Sequence, residues 1–463
     1  MQSSFKFIDL FAGLGGFHYA LKSIGGECVF ASEINKTLRD LYIKNHNLKS
    51  NLMHGDIAEC INKVPDHDLL AAGFPCQPFS KSGKQLGFDD NIRGDCIFYA
   101  LDIIKKKKPK YFILENVGNF ARHNDGNSWK DIQFELRELG YTVRSTSDSI
   151  DNRGYEKLIS PHHFGYPQKR ERFFAVGSLD YIPKDIFPIP NEKKPSLESI
   201  IISKKEAKLS TDKLVDVEQC KIGSQAQKAI NLWNKFINNL PNKNKDLKGS
   251  FPLWLEEYKA SYPFITHTPY QEMIDNGLSV EEAREKLKDY PPYAREEKQQ
   301  FPFWKIKYID QNRDWFDEYS ENIDESIVKK IRKLPYTYRK IEWNCKSSNS
   351  PNIWDHTIQL RPSGIRISNP SYVPSIVSMC STQRPIYGPF KRHLTQREIA
   401  RVFGFPDSLT LPDHSTLAIT ALGNAVHKDV ARLIAKKLIN YGKRSKDNLI
   451  QISKDKELLG LTA

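Results

Sequence analysis

The chain has 463 residues and a formal charge of +13, from 69 Lys and Arg against 56 Asp and Glu. This length exceeds the size at which one hydrophobic core keeps growing, so we expect two domains, and 39% hydrophobic residues exclude a disordered chain. No apolar run is long enough to cross a membrane and the first residues lack a signal-peptide layout, so we expect a cytoplasmic protein. The positive charge favours a polyanionic partner.

The first third of the chain alternates strand-like and helix-like stretches. A compact apolar run from Phe5 to Phe11 leads into a glycine turn, and the next apolar residues recur with helical spacing. Further strands are predicted at 28–31, near Leu52, at 69–72 and at 111–114. This order predicts an α/β fold with a parallel sheet, whose working loops lie at the carboxyl ends of the strands.

The pattern changes after about Gly177 and returns near Lys391. The intervening segment is rich in Pro, Asn, Lys and aromatic residues and shows no regular alternation, so we expect a second, irregular domain there. Thr395 and Glu398 form a capping box at a helix start, and a last helix follows. The predicted boundaries are 1–180 for the first part of the α/β domain, 181–390 for the second domain, 391–442 for the returning part of the α/β domain and 443–463 for a polar tail.

The turn Gly13 to Gly16 lets a ligand approach the backbone closely. It is not the dinucleotide fingerprint, because His18 stands where that motif requires glycine. Glu33 follows Gly13 by 20 positions at the end of the second strand, where a carboxylate can accept hydrogen bonds from ribose hydroxyls. The combination indicates a nucleoside cofactor without a pyrophosphate, and a purely structural tight turn is the alternative.

Cys76 lies between Pro75 and Pro78 where a strand gives way to a polar loop, a setting that favours an aimed nucleophile over a buried structural thiol. Glu115 ends a neighbouring strand and can reach the same cleft. Arg170 and Arg172 alternate on one side of an extended segment and can hold a phosphate or a carbonyl oxygen. For each of these charged residues, an exposed strand position is the alternative.

The seven cysteines are scattered, without a C-x-x-C pair, so we expect reduced thiols and no metal site.

Taken in order, the stretches FIDLFAGLGG, SEIN, GDI, GFPCQPFS, ENV, QKRER and GNAV resemble the motif series of the cytosine-C5 DNA methyltransferases of bacterial restriction–modification systems. The likeness covers about residues 5–177 and 390–440. The segment between them matches only by position, where the family has its variable target-recognition domain. The resemblance implies a Rossmann-like, S-adenosylmethionine-dependent methyltransferase sheet with an inserted smaller, irregular target-recognition domain.

The resemblance also implies roles for individual residues. Cys76 would be the nucleophile, Glu115 would bind N3 and N4 of a flipped cytosine, and Arg170 and Arg172 would flank that base. The residues implied to hold S-adenosylmethionine are Phe11, Gly13, Leu14, Gly15, Gly16, Glu33, Ile34, Asp56, Ile57, Pro75, Asn424 and Val426, and no metal is implied.

The implied partner is double-stranded DNA, with a restriction endonuclease as a functional counterpart, and we expect a monomer. A tRNA cytosine-C5 methyltransferase is a neighbouring interpretation, although the long middle segment favours DNA. A catalytically silent DNA-binding regulator is a further alternative, and the presence of Cys76 and Glu115 argues against it.

Overall fold

The computed structural model of the chain describes residues 5–75, 96–148, 158–191, 193–210, 212–241, 251–260, 267–345, 350–376 and 383–441. The chain divides into two compact units. The first comprises Met1–Asp216, Ser371–Ser381 and Thr395–Ala463, and the second comprises Val217–Pro370 and Thr382–Leu394.

Strands and helices are numbered here along the chain. The strands of the described residues are β1 (Phe5–Leu10), β2 (Gly26–Ser32), β3 (Met53–His54), β4 (Leu69–Gly73), β5 (Tyr111–Val117), β6 (Thr142–Ser145), β7 (Gln168–Lys169), β8 (Arg172–Ser178), β9 (Leu253–Trp254), β10 (Lys340–Asn344), β11 (Thr357–Arg361), β12 (Gly364–Ser368), β13 (Val373–Pro374), β14 (Ile386–Tyr387) and β15 (Arg392–His393). The helices are α1 (Gly16–Lys22), α2 (Lys36–His46), α3 (Ile57–Cys60), α4 (Cys96–Lys107), α5 (Asn127–Glu138), α6 (Lys204–Leu209), α7 (Ser224–Asn238), α8 (Pro269–Asp275), α9 (Val280–Leu287), α10 (Phe303–Glu318), α11 (Glu325–Arg332), α12 (Gln396–Val402), α13 (Ser415–Asn424) and α14 (428–441).

The first unit is built on a seven-stranded sheet with the order β3-β2-β1-β4-β5-β8-β6. The first five strands in this order run parallel. Strand β8 runs antiparallel to both β5 and β6. The carboxyl ends of the parallel strands therefore meet at one edge of the sheet, which is where ligand sites form in such folds. The predicted α/β fold and its five early strands are confirmed.

Helices cover both faces of this sheet. Successive side chains of a strand point to opposite faces, so Phe7 packs into a core with α1, α2 and α14, while Ile8 packs into a second core with α3, α4 and α5. Burial on both faces explains why β1 and β4 read as nearly continuous apolar runs.

The second unit contains a smaller sheet with the order β15-β14-β11-β12-β10-β9. One face of it carries Ile341, Ile365 and Ile367, which pack against Trp233 of α7 and Ile331 of α11. The smaller second domain predicted from the sequence is present, and it has an ordered core of its own. Its strands are short, and four of the described helices separate β9 from β10, so the sequence shows no regular period.

The segment 181–216, which the sequence prediction assigns to the second domain, packs with the first unit. Ile182 and Ile186 join the core beside α14. The Glu398 carboxylate accepts a hydrogen bond from the backbone amide of Ile202 at 2.8 Å. Because of these contacts the compact first unit continues to Asp216 instead of ending at residue 180.

Candidate active site

The turn that follows β1 has an unusual backbone. Gly13 and Gly15 have φ angles of 52° and 77°, and Phe11 has a φ of 55°. Positive φ suits glycine but is costly for an aromatic residue, and such strain concentrates where a site over-determines the backbone. Leu14 is buried, so its side chain contributes to packing beneath the turn.

Glu33 ties this turn to the end of β2. Its carboxylate accepts hydrogen bonds from the backbone amides of Gly13 and Asn35, both at 2.9 Å. Each carboxylate oxygen has a second lone pair to offer a ligand. Beside it, the Ile34 side chain is 72% exposed, so an acceptor and an apolar surface lie together at the sheet edge.

Asp56 follows the next strand, β3. Its side chain caps α3 by accepting a hydrogen bond from the amide of Ala58 at 3.0 Å, while Ile57 is buried. The amide of Glu33 donates to the carbonyl of His54 at 3.1 Å. The Asp56 carboxylate therefore lies along the same sheet edge as the Glu33 carboxylate, one strand further out.

The distal end of the chain completes this side of the site. A methyl group added at Gly16 would lie 2.3 Å from the backbone oxygen of Val426, and one added at Gly73 would lie 3.0 Å from the Val426 side chain. Glycine at position 16 is thus required by close approach of two backbones. Asn424, at the end of α13, is exposed.

Glu115 lies at the carboxyl end of β5, opposite Gly73 of β4 in the strand register. A methyl group at Gly73 would be 3.5 Å from Glu115 Oε2. The Asn116 amide donates to the carbonyl of Phe74 at 3.3 Å and holds the backbone that leads to Pro75. Asn116 was not among the predicted site residues, although it follows Glu115 directly in the ENV motif. Cys76 itself lies outside the described residues.

Arg172 pairs with Glu115, with 3.2 Å between Nε and Oε1. The Glu115 side chain is 9% exposed and that of Arg172 is 16% exposed. Burial raises the pKa of Glu115, and the positive charges of Arg172 and Arg170 oppose the rise. The pair therefore holds a carboxyl group that retains its proton to a higher pH than an exposed glutamate.

Arg170 has a different setting. Its guanidinium donates to the backbone carbonyls of Gly423 at 2.8 Å and Ala425 at 3.3 Å, and to that of Ile376 at 3.4 Å. It is 4% exposed and lies 5.3 Å from the centre of the Phe403 ring. The structure thus separates the two arginines: one contacts Glu115, and the other holds the backbone that carries Asn424 and Val426.

Two kinds of feature are absent from the described stretches. No group of three or more His, Cys, Asp or Glu side chains there could hold a metal ion. No helix there is long and apolar enough to cross a lipid bilayer.

The chain belongs to the C-5 cytosine-specific DNA methylase family, whose profile matches residues 5–440. It is 28% identical over 506 residues to the type II methyltransferase M.AluI of Cellulosimicrobium cellulans, in an alignment that covers 94% of this chain and 91% of that protein. The predicted family and methyltransferase activity are thereby confirmed, and S-adenosylmethionine is the methyl donor that this family implies.

Two further relatives match over shorter stretches. Identity is 44% over 203 residues with M.HaeII of Haemophilus aegyptius, covering 44% of this chain and 59% of that protein. Identity is also 44% over 172 residues with M.HhaI of Haemophilus parahaemolyticus, in an alignment that covers 37% of this chain and 48% of that protein. The chain therefore spans about half the length of these two relatives.

Proposed function

We propose that this enzyme methylates carbon 5 of one cytosine within a specific double-stranded DNA sequence, and so protects host DNA from a cognate restriction endonuclease. The observation that carries the proposal is the buried Glu115 paired with Arg172, at the strand end that neighbours the backbone leading to Cys76. The relatives named type II methyltransferases support the restriction–modification context.

S-adenosylmethionine, when bound, supplies an electrophilic methyl group. The donor set at the sheet edge fits its nucleoside part: Glu33 has free lone pairs for ribose hydroxyls, Ile34 presents an apolar surface for a purine ring, and Asp56 can accept from an exocyclic amine. The strained turn at Phe11 and the backbone of Gly13–Gly16 would cover the cofactor from the side of β1. Val426, Asn424 and Pro75 would close the remaining side.

The Cys76 thiolate would add to C6 of the cytosine, breaking the C5–C6 π bond and placing its electron pair at C5. Glu115 would share its proton with N3, so that negative charge does not build up on the ring. As C5 forms its bond to the methyl carbon, the bond between that carbon and the donor's sulfur would break and leave a neutral thioether. Loss of the C5 proton to a base would then restore the double bond, expel the Cys76 thiolate and return the N3 proton to Glu115. Arg172 would hold Glu115 in place and reach the edge of the cytosine ring.

A base inside a duplex cannot reach these groups, so the cytosine must be flipped out, at a cost of a few kcal/mol. We propose that the second unit reads the surrounding sequence. The predicted region for base-contacting loops, Arg361 to Arg384, begins at the last residue of β11 and contains β12. Arg361 and Arg366 share the carboxylate of Glu342 on β10. Residues 377–382 of that region lie outside the described residues.

Bisulfite sequencing of DNA from a methylation-free host that expresses this chain tests the proposal. We expect protected cytosines at one recurring sequence, and none with Cys76→Ser. Cys96→Ser, on the first residue of α4, is the matched control and should leave the pattern unchanged. Absence of any protected cytosine with the natural chain, or methylation of tRNA alone, would contradict the proposal.

A further inference from the structure

A chain of buried polar side chains lies beneath the glycine turn of the first unit. The Tyr42 hydroxyl donates to Asp9 Oδ2 at 3.0 Å and lies 2.9 Å from His18 Nδ1, its second hydrogen-bond partner. The backbone amide of His18 also donates to the Asp9 carboxyl group. One hydroxyl therefore links β1, α1 and α2, the three elements that surround the turn.

The chain continues to the turn through His46. The imidazoles of His18 and His46 are stacked, with ring centres 3.8 Å apart and planes 19° from parallel. A methyl group added at Gly15 would lie 2.1 Å from His46 Nε2 and 2.9 Å from the Tyr42 ring. His46 and Tyr42 thus fill the space that the missing side chain of Gly15 leaves, and they form a wall behind the turn.

Burial keeps the members of this chain uncharged. It lowers the pKa of His18 to about 2 and that of His46 to about 3. It also raises the pKa of Asp9 to about 8. Four polar side chains in an apolar core are costly unless their hydrogen bonds are made, and packing alone would be served by apolar residues. Tyr42 and His46 contact the turn at Gly15, so these polar side chains can fix the conformation of the turn, which apolar packing would not do.

We propose that Tyr42 is a positioning residue for cofactor binding, which holds the turn Gly13–Gly16 in its ligand-ready conformation through Asp9, His18 and His46. The inference rests on the proposed function, because it assigns the cofactor to that turn. These residues pack behind the turn and are not among those predicted to contact the cofactor or the DNA.

Tyr42→Phe removes one oxygen atom and keeps the ring that packs beside Gly15. We expect S-adenosylhomocysteine to bind this variant about tenfold more weakly, the effect of leaving a buried polar partner unsatisfied, in calorimetric titrations without DNA. In methylation assays KM for S-adenosylmethionine should rise by a similar factor, with kcat at saturating cofactor unchanged.

Tyr141→Phe is the matched control. Its hydroxyl donates to the Pro109 carbonyl at 2.7 Å, and its ring packs in the core on the other face of the sheet. It should lower the melting temperature as Tyr42→Phe does while leaving cofactor affinity unchanged. Equal affinity losses in the two variants, or none in Tyr42→Phe, would overturn the inference.

A second pair of variants changes His18 on α1, the other partner in the hydrogen bond with the Tyr42 hydroxyl. His18→Asn keeps a polar nitrogen near the position of Nδ1 and should retain more affinity than His18→Leu, and equal affinities would overturn the inference. This pair serves if Tyr42→Phe does not fold. Failure of the natural chain to bind S-adenosylhomocysteine would instead contradict the proposed function, so the two failures are distinguishable.

Discussion

At the scale of single residues, Glu115 lies in an environment unlike that of a surface glutamate. Its burial raises its pKa, and the protonated form is the one that can donate to N3 of cytosine. Because a raised pKa keeps the proton on as the solution becomes more alkaline, the protonated form of Glu115, which we propose acts in catalysis, is lost only as pH rises through that raised value. The Arg172 charge opposes the shift and so moves this loss to lower pH.

Glu115→Gln should lower the methylation rate by about 10²–10⁴-fold, the usual contribution of a positioned acid. The fall in rate that accompanies loss of the Glu115 proton at alkaline pH should disappear from its pH profile. Single-turnover methylation measured across pH provides the test. Glu27→Gln, at an exposed position near the start of β2, is the control, and an unchanged profile in Glu115→Gln would argue against the assigned acid.

Arg170 and Arg172 are two positions apart and should respond differently to substitution. Lysine lacks the planar fork of arginine. Arg170→Lys loses bonds to the carbonyls of Gly423 and Ala425, so it should raise KM for S-adenosylmethionine and lower stability by about 1–3 kcal/mol. Arg172→Lys should lower kcat with little change in that KM. Steady-state kinetics of both variants would test these expectations. The same change in KM and kcat in both variants would refute the separation of roles.

The difference between the arginines also shows what the sequence could not reveal. Alternation along one extended strand predicts that both side chains share a face. In the structure β7 ends at Lys169 and β8 begins at Arg172, so Arg170 lies in the break between them. Its partners come from residues more than 200 positions away, and no local pattern records such a contact.

At the scale of secondary-structure elements, local patterns were most informative where they reflect burial. The apolar runs located β1, β2, β4 and β5, and the capping box located the start of α12, where Thr395 and Glu398 exchange the expected bonds. The chain of Asp9, His18 and Tyr42 was missed. It depends on the packing of α1 and α2 against β1, and the sequence signal was limited to a histidine in place of a glycine.

The first residue of α1, Gly16, lies against the backbone of Val426 and leaves no room for a side chain. Gly16→Ala places a methyl group 2.3 Å from the Val426 oxygen, and because both sides of the contact include backbone, one must shift. We expect a loss of about 1–3 kcal/mol in stability and weaker cofactor binding, measured by thermal unfolding and calorimetric titration. Gly223→Ala, where an added methyl group meets nothing within 4 Å, is the control. A Gly16→Ala protein as stable and as tight-binding as the control would show that the contact is unimportant.

At the scale of the whole molecule, the first unit is assembled from three separate parts of the chain, and the second unit interrupts it. The sequence predicted this interruption from the return of regular patterns near Lys391. It did not predict that residues 181–216 belong with the first unit, because their irregular composition resembles that of the segment that follows. Their assignment depends on contacts such as that of Glu398 with Ile202, which become visible only in the fold.

The close contact between Gly16 and Val426 has a consequence for the order of synthesis. A ribosome completes β1, the turn and the entire second unit before it makes Val426. The nascent chain therefore cannot complete the proposed cofactor site until the second unit and Val426 have both been made, and the turn after β1 must wait for a residue 410 positions beyond Gly16.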